Sequence, residues 1–372
     1  GRYALGSNTT GSNNTAVGWR AGLSNTTGAN NVAIGREALE ANTTGATNVA
    51  VGYQALTANT TASNNVAIGV NAGASITTGG VNVFVGRNAG DANTTAENNV
   101  AVGNSALGAN TTANYNTAIG ASALLANTTG TENTSVGYTS LTANTTASYN
   151  TALGVGTLFS NTTGASNFAA GRNALNANTT ASWNTGVGHN SLALNTTGAS
   201  NTALGAYSLD ANTTASYNTA NGMYSLTTNT TGANNTAVGY ASLQNNTTAS
   251  NNTAVGYQAG YRNTTGVGLN AFGYQALYDN TTGAGNSAFG GYHVGQFNAA
   301  LRANSTGTFN NAFGGGALAS NTTGSYNTAM GRAALTSNQT ASYNTAYGAD
   351  ALYGNTTGAE STAVGYQAGY AN

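Results

Sequence analysis

Apolar and polar residues alternate in short segments along this chain, as in NVAI at 31–34, NVAV at 48–51 and NTAV at 235–238. Each segment ends at a glycine, and the next follows 17 residues later. A period of two is the signature of a strand. The residues agree: Val, Ile and Thr suit a pleated surface, while helix formers such as Glu, Lys and Gln are scarce. Counting Gly1 as position 1 of a 17-residue unit, positions 15 and 17 share one side of the strand and 14 and 16 the other. The expectation is that Val or Ile at position 17 joins Leu at position 5 in an apolar seam. The nearly constant Ala at position 16 then faces outward, small enough to admit another chain. The glycine lets the backbone turn, and NTTG or NTTA reads as a second corner.

The frame is strict. Gly recurs from 1 to 290, then at 314, 331, 348 and 365, which makes 21 full units and a partial one. Leu fills position 5 in 17 units and Gly the rest (Gly22, Gly73, Gly90, Gly260). Position 16 is Ala except at Phe84, Ser135 and Gly186, and position 14 is Asn except at Leu269 and Ser361. Position 17 is apolar with one clear exception, Asn221. The segment GGYHVGQ at 290–296 adds seven residues and is expected as a loop insertion. Residues 1–372 therefore read as a single repeat array. Neither end carries a capping unit, as expected of a fragment of a longer chain.

A short fixed period of strands and corners predicts an all-β fold, a parallel β-solenoid (β-roll) of about 21 coils, each coil one repeat. Coils at the strand spacing of about 4.8 Å would form a rod on the order of 100 Å. The strictness has an energetic cause. One coil buries about two sizeable side chains, at about 1.5–3 kcal/mol each, against about 1–2 kcal/mol per ordered residue. A coil alone cannot fold, so each must template the next.

Composition narrows the function. Only 5% of residues are charged and the net charge is −1. Eight scattered arginines cannot neutralise a nucleic-acid backbone, and five of them (Arg2, Arg36, Arg87, Arg172, Arg332) share position 2. No apolar run approaches a membrane span and no signal peptide is visible. Without Cys there is no disulfide or thiolate metal site; without Lys there is no P-loop. His189 and His293 lie in distant units, and the nine acids do not cluster as calcium ligands. No catalytic residue, cofactor or metal is expected, and the chain reads as a non-enzyme.

The NTT triplet is the main candidate site. Asn8, Asn25, Asn42, Asn59, Asn93, Asn110, Asn127, Asn144, Asn161, Asn178, Asn195, Asn212, Asn229, Asn246, Asn263, Asn280, Asn304, Asn321, Asn338 and Asn355 all occupy position 8, each heading an Asn-x-Thr glycosylation sequon. The same residues could instead stack as a hydrogen-bonded Asn ladder. A sequon leaves its middle residue free, yet position 9 is Thr in all but Ser305 and Gln339, which a ladder or corner explains. Threonine ranks also raise ice binding, although a corner spoils flatness. Tyr at positions 2 (Tyr53, Tyr138, Tyr240) and 13 (Tyr149, Tyr217, Tyr343), joined by Trp19 and Trp183, could stack on sugar, bury in an interface or cover strand edges.

The segments NNVAIG (30–35), TNVAVG (47–52) and NNVAVG (98–103) resemble the head repeats of YadA-like trimeric autotransporter adhesins, and NTAVGYQAG (252–260) is similar to phage tail-fibre arrays. The chain departs from the family in its NTTG segment and longer coil. The resemblance implies a left-handed β-roll, a homo-trimer and binding to a host surface. The expected function is thus an extracellular fibre or adhesin shaft or head on a cell or virion surface, with self-association and a glycan or host-surface ligand. The alternative is an extracellular filament with coils continuing between neighbouring chains and glycosylated Asn-x-Thr sites.

Overall fold

A computed structural model describes residues 1–291 and 298–371. It is all-β, with 21 three-residue strands among the described residues. Two compact units divide the chain, Gly1–Asn184 and Thr185–Asn372. The first holds ten strands, from Thr15–Val17 to Phe168–Ala170, and the second eleven, from Thr185–Val187 to Thr362–Val364. Within each unit successive strands pair in parallel with identical repeat positions opposed: Thr15, Ala16 and Val17 lie against Val32, Ala33 and Ile34 in the first, and Thr185 against Thr202 in the second. Each unit is therefore a parallel β-solenoid with one 17-residue repeat per coil.

The register survives the insertion. Ser287 pairs with Asn311 although 24 residues separate equivalent positions there. Gly290 keeps its place in the glycine column: its N–H donates to Phe272 at 2.9 Å, as that of Gly273 does to Val255, and its carbonyl accepts from Ala300 at 3.0 Å. The loop expected at 290–296 thus begins after Gly290, and its residues 292–296 lie outside the described residues.

The strand faces the other way from expectation. Ala at position 16 is the buried residue (Ala50, Ala67, Ala152 and Ala254 are all fully buried), while positions 15 and 17 are half-buried or exposed. Volume explains the reversal. Leu at position 5, Ala or Ser at position 4, and the Asn side chains of positions 8 and 14 already fill the narrow interior. A β-branched residue at position 16 would overfill it.

The corners rest on left-handed backbone. Positions 3, 5 and 13 hold φ near +50 to +65° even for bulky residues, for example Gln54 (56°), Leu56 (50°) and Trp183 (59°). For a non-glycine residue this costs about 1–2 kcal/mol; complete burial of Leu at position 5 offsets it by about 1.5–3 kcal/mol. Position 1 is more demanding. Gly103 has φ +137°, and a Cβ there would stand 2.5 Å from the carbonyl oxygen of Gly120 in the next coil. Only glycine allows coils to approach so closely at this corner.

Candidate interaction surface

The position-8 asparagines are interior groups. Apart from the half-buried Asn8, they are buried. Asn42 is representative: one amide hydrogen goes to Asn25 Oδ1 at 2.7 Å and the other to the Gly45 carbonyl at 2.9 Å. Both hydrogens of Nδ2 are thereby used, one within the coil and one between coils. Position 14 forms a second ladder. Asn31 Oδ1 accepts from the Asn48 N–H, and Asn31 Nδ2 donates to the same Gly45 carbonyl. Of the two threonines, the position-9 hydroxyl donates to the next coil's carbonyl, as Thr26 does to Thr43 and Thr43 to Thr60, each at 3.0 Å. Position 10 is exposed. The sequon thus decomposes into a ladder amide, a hydroxyl that ties two coils together, and one solvent-facing Thr. A glycan on Nδ2 would replace a ladder hydrogen and demand space the interior lacks.

Two faults interrupt the first ladder among the described residues, one at Ile76 and one where Asn338 Oδ1 lies buried without a partner. Ile76 replaces Asn, leaving Asn59 Oδ1 and Asn93 Nδ2 buried without partners among the described residues. Asn93 is turned over, its Oδ1 accepting from the Ala96 N–H at 3.0 Å. The same stretch repacks its core: Gly73 and Gly90 stand where Leu is usual, and Phe84 stands where Ala is usual. A Cβ on Gly90 would meet the Phe84 ring at 2.6 Å, and one on Gly73 would meet it at 2.9 Å. The Phe84 ring occupies the room of the two missing leucines.

Two kinds of surface remain. The first is the outward strand face, positions 15 and 17, which carries no charged residue in any repeat. Val17, Ile34, Ile68, Ile119 and Leu153 are exposed in the first unit. In the second, Phe272, Phe289 and Phe313 stack at 4.8 and 4.7 Å along the same column. In the position-17 column Asn221, between Leu204 and Val238, is the polar exception, while position 15 is Thr, Asn or Ser throughout the second unit.

The second surface is aromatic. His189, Tyr207, Tyr224, Tyr240, Tyr257 and Tyr274 form a continuous column in the second unit, with neighbouring centroids 5.0–6.0 Å apart. Tyr207 stacks on Tyr224, and Tyr240, Tyr257 and Tyr274 stack in a run, so sugar stacking on the faces between them is blocked; His189–Tyr207 and Tyr224–Tyr240 meet edge-on. Arg36 plays the same part in the first unit, 5.0 Å from the Trp19 ring and 5.6 Å from that of Tyr53, which accounts for arginine sharing position 2 with aromatics. Position 13 behaves in two ways: in the second unit Phe309, Tyr326 and Tyr343 stack at 5.3 and 5.2 Å, whereas in the first unit the rings stand apart. Tyr115, Tyr149 and Trp183 are exposed and make no ring contact among the described residues.

Elsewhere the chemistry is sparse. Burial pushes the carboxyl of Asp91 up despite hydrogen bonds from backbone, and burial raises that of Asp210 against the opposing pull of His189. His189 meets Tyr207 edge-on; His293 lies outside the described residues. Among the described residues no group of three or more His, Cys, Asp or Glu could hold a metal ion, and no helix is long and apolar enough to cross a membrane. No protein-family model and no curated protein matches the chain.

Proposed function

We propose that this chain is a non-catalytic structural segment of an extracellular fibre or adhesin, and that copies of it associate along the outward strand face. The observation that carries the reading is the uncharged Val/Ile/Thr/Phe face repeated at one strand spacing per coil. A charge-free face with that period is best matched by another face with the same period, and a second copy supplies one. The area suffices. Three residues of strand span about 10 Å and coils rise about 4.8 Å, so the ten strands of the first unit present roughly 480 Å² and the eleven of the second roughly 530 Å², and a partner that engages both meets their sum. A stable interface takes about 800 Å² per partner. Three copies, as the resemblance to trimeric adhesins implies, is the number proposed. The role expected for outward Ala at position 16 passes to positions 15 and 17.

The buried ladder amides weigh against the glycan-sheathed filament. Immunogold labelling of intact cells or particles that produce the chain tests the placement. The expected result is gold along projecting fibres; gold confined to the interior would refute an extracellular role.

A further inference from the structure

Tyr115, Tyr149 and Trp183 occupy the same repeat position in alternate coils of the last part of the first unit. They are 60%, 58% and 69% exposed, an openness matched in that unit by Tyr138 at position 2, at 60%. Their backbones share one conformation, with φ 60°, 63° and 59°, so the three side chains leave the coil in the same direction. Their amides bond to the preceding coil in the same way, Tyr115 to Glu97, Tyr149 to Thr131 and Trp183 to Ala165, at 3.2–3.3 Å. That bond holds the column at the strand spacing. The intervening coils carry Glu132 and Ser166 at this position, neither of them aromatic. The arrangement belongs to a two-coil alternation. From 113 to 181 position 11 runs Ala113, Gly130, Ala147, Gly164, Ala181, and the aromatic always accompanies Ala.

Burying a large ring is favourable and leaving it in water is not, so three open rings at regular intervals call for a ligand with the same interval. Two coils rise about 9.6 Å. An extended β-1,4-linked polysaccharide turns each sugar over relative to the last, so the same C–H face returns every second sugar, at close to that distance. We infer that Tyr115, Tyr149 and Trp183 form a binding track for an extended β-1,4-linked glycan, each ring stacking on alternate sugars. The exposed hydroxyls of Thr112, Thr129, Thr146 and Thr163 belong to the same coils and offer hydrogen bonds to sugar hydroxyls. This inference goes beyond the fibre reading and does not depend on self-association.

The test titrates the full chain with cellohexaose and chitohexaose, using maltohexaose, whose α-1,4 linkage curves the chain, as control. Tryptophan fluorescence is the readout, in a Trp19→Phe background so that Trp183 alone reports. At least one β-1,4 hexamer should bind at least tenfold more tightly than maltohexaose, and Tyr149→Ala should weaken it at least tenfold. The decisive variant is Tyr149→Ser with Ser166→Tyr, which keeps the composition but breaks the two-coil interval; it should lose as much as Tyr149→Ala. Unaltered binding by that variant, equal binding of maltohexaose, or no binding of either β-1,4 hexamer would overturn the track. The mass of the particle in solution, measured on the same samples, reports on the fibre reading separately.

Discussion

At the residue scale, the two halves of the NTT motif do unlike work. Asn161 donates to Asn144 Oδ1 and to the Gly164 carbonyl, and Asn178 donates to Asn161 Oδ1. Asn161→Ala removes a donor and an acceptor from a buried ladder, at about 1–3 kcal/mol for each group left unmade. Thr163→Ala, two residues on at an exposed position, should change stability by no more than about 0.5 kcal/mol. Hydrogen exchange separates them: Asn161→Ala should lose amide protection in the coils on either side, and Thr163→Ala should not. The same burial predicts that chain folded in a glycosylating host carries bare asparagines at position 8. Intact-mass spectrometry checks this, and sugar at Asn161 with the protection pattern retained would contradict it.

At the scale of the coil, the repeat tolerates exchange of volume between positions. Phe84→Ala should open a cavity costing about 3–5 kcal/mol. Gly90→Leu alone should also destabilise, because its Cβ meets the Phe84 ring at 2.6 Å. Together the two restore the usual Leu and Ala pairing, and position 5 already accommodates Leu at φ near +50°, as at Leu107 (55°). The double variant should therefore melt higher than either single one, a coupling of opposite sign to simple addition.

Much of this was legible in the chain itself. The glycine interval gave away coil length, NTAV and NVAI located the strands, and nearly constant Thr at position 9 favoured a ladder over a sequon alone. The facing of the strand was not legible, since Ala at 16 and Val at 17 are both apolar and only the volume already taken by Leu and Asn decides between them. Leucine in left-handed backbone was hidden too, because propensity argues against it and burial within the stacked coil overrides propensity. The aromatic columns were visible as residues, but whether their faces are mutually covered, as from Tyr240 to Tyr274, or open, as at Tyr149, depends on contacts between coils.

At the scale of the whole molecule, the account turns on what covers the outward strand face. Because positions 15 and 17 carry no charge, the proposed association there would owe nothing to ion pairs, and salt would not screen it. The assembled mass should be unchanged between low and high ionic strength. A single ammonium placed on the face would be buried without a partner, and desolvating it costs far more than one apolar contact returns. Light scattering coupled to size exclusion, on the native chain and on Val238→Lys with Val255→Lys, is the most direct test. The account predicts an integer multiple of 36.7 kDa for the native chain, three being the number proposed, and 36.7 kDa for the variant. A native mass of 36.7 kDa, or a variant that assembles like the native chain, would contradict it.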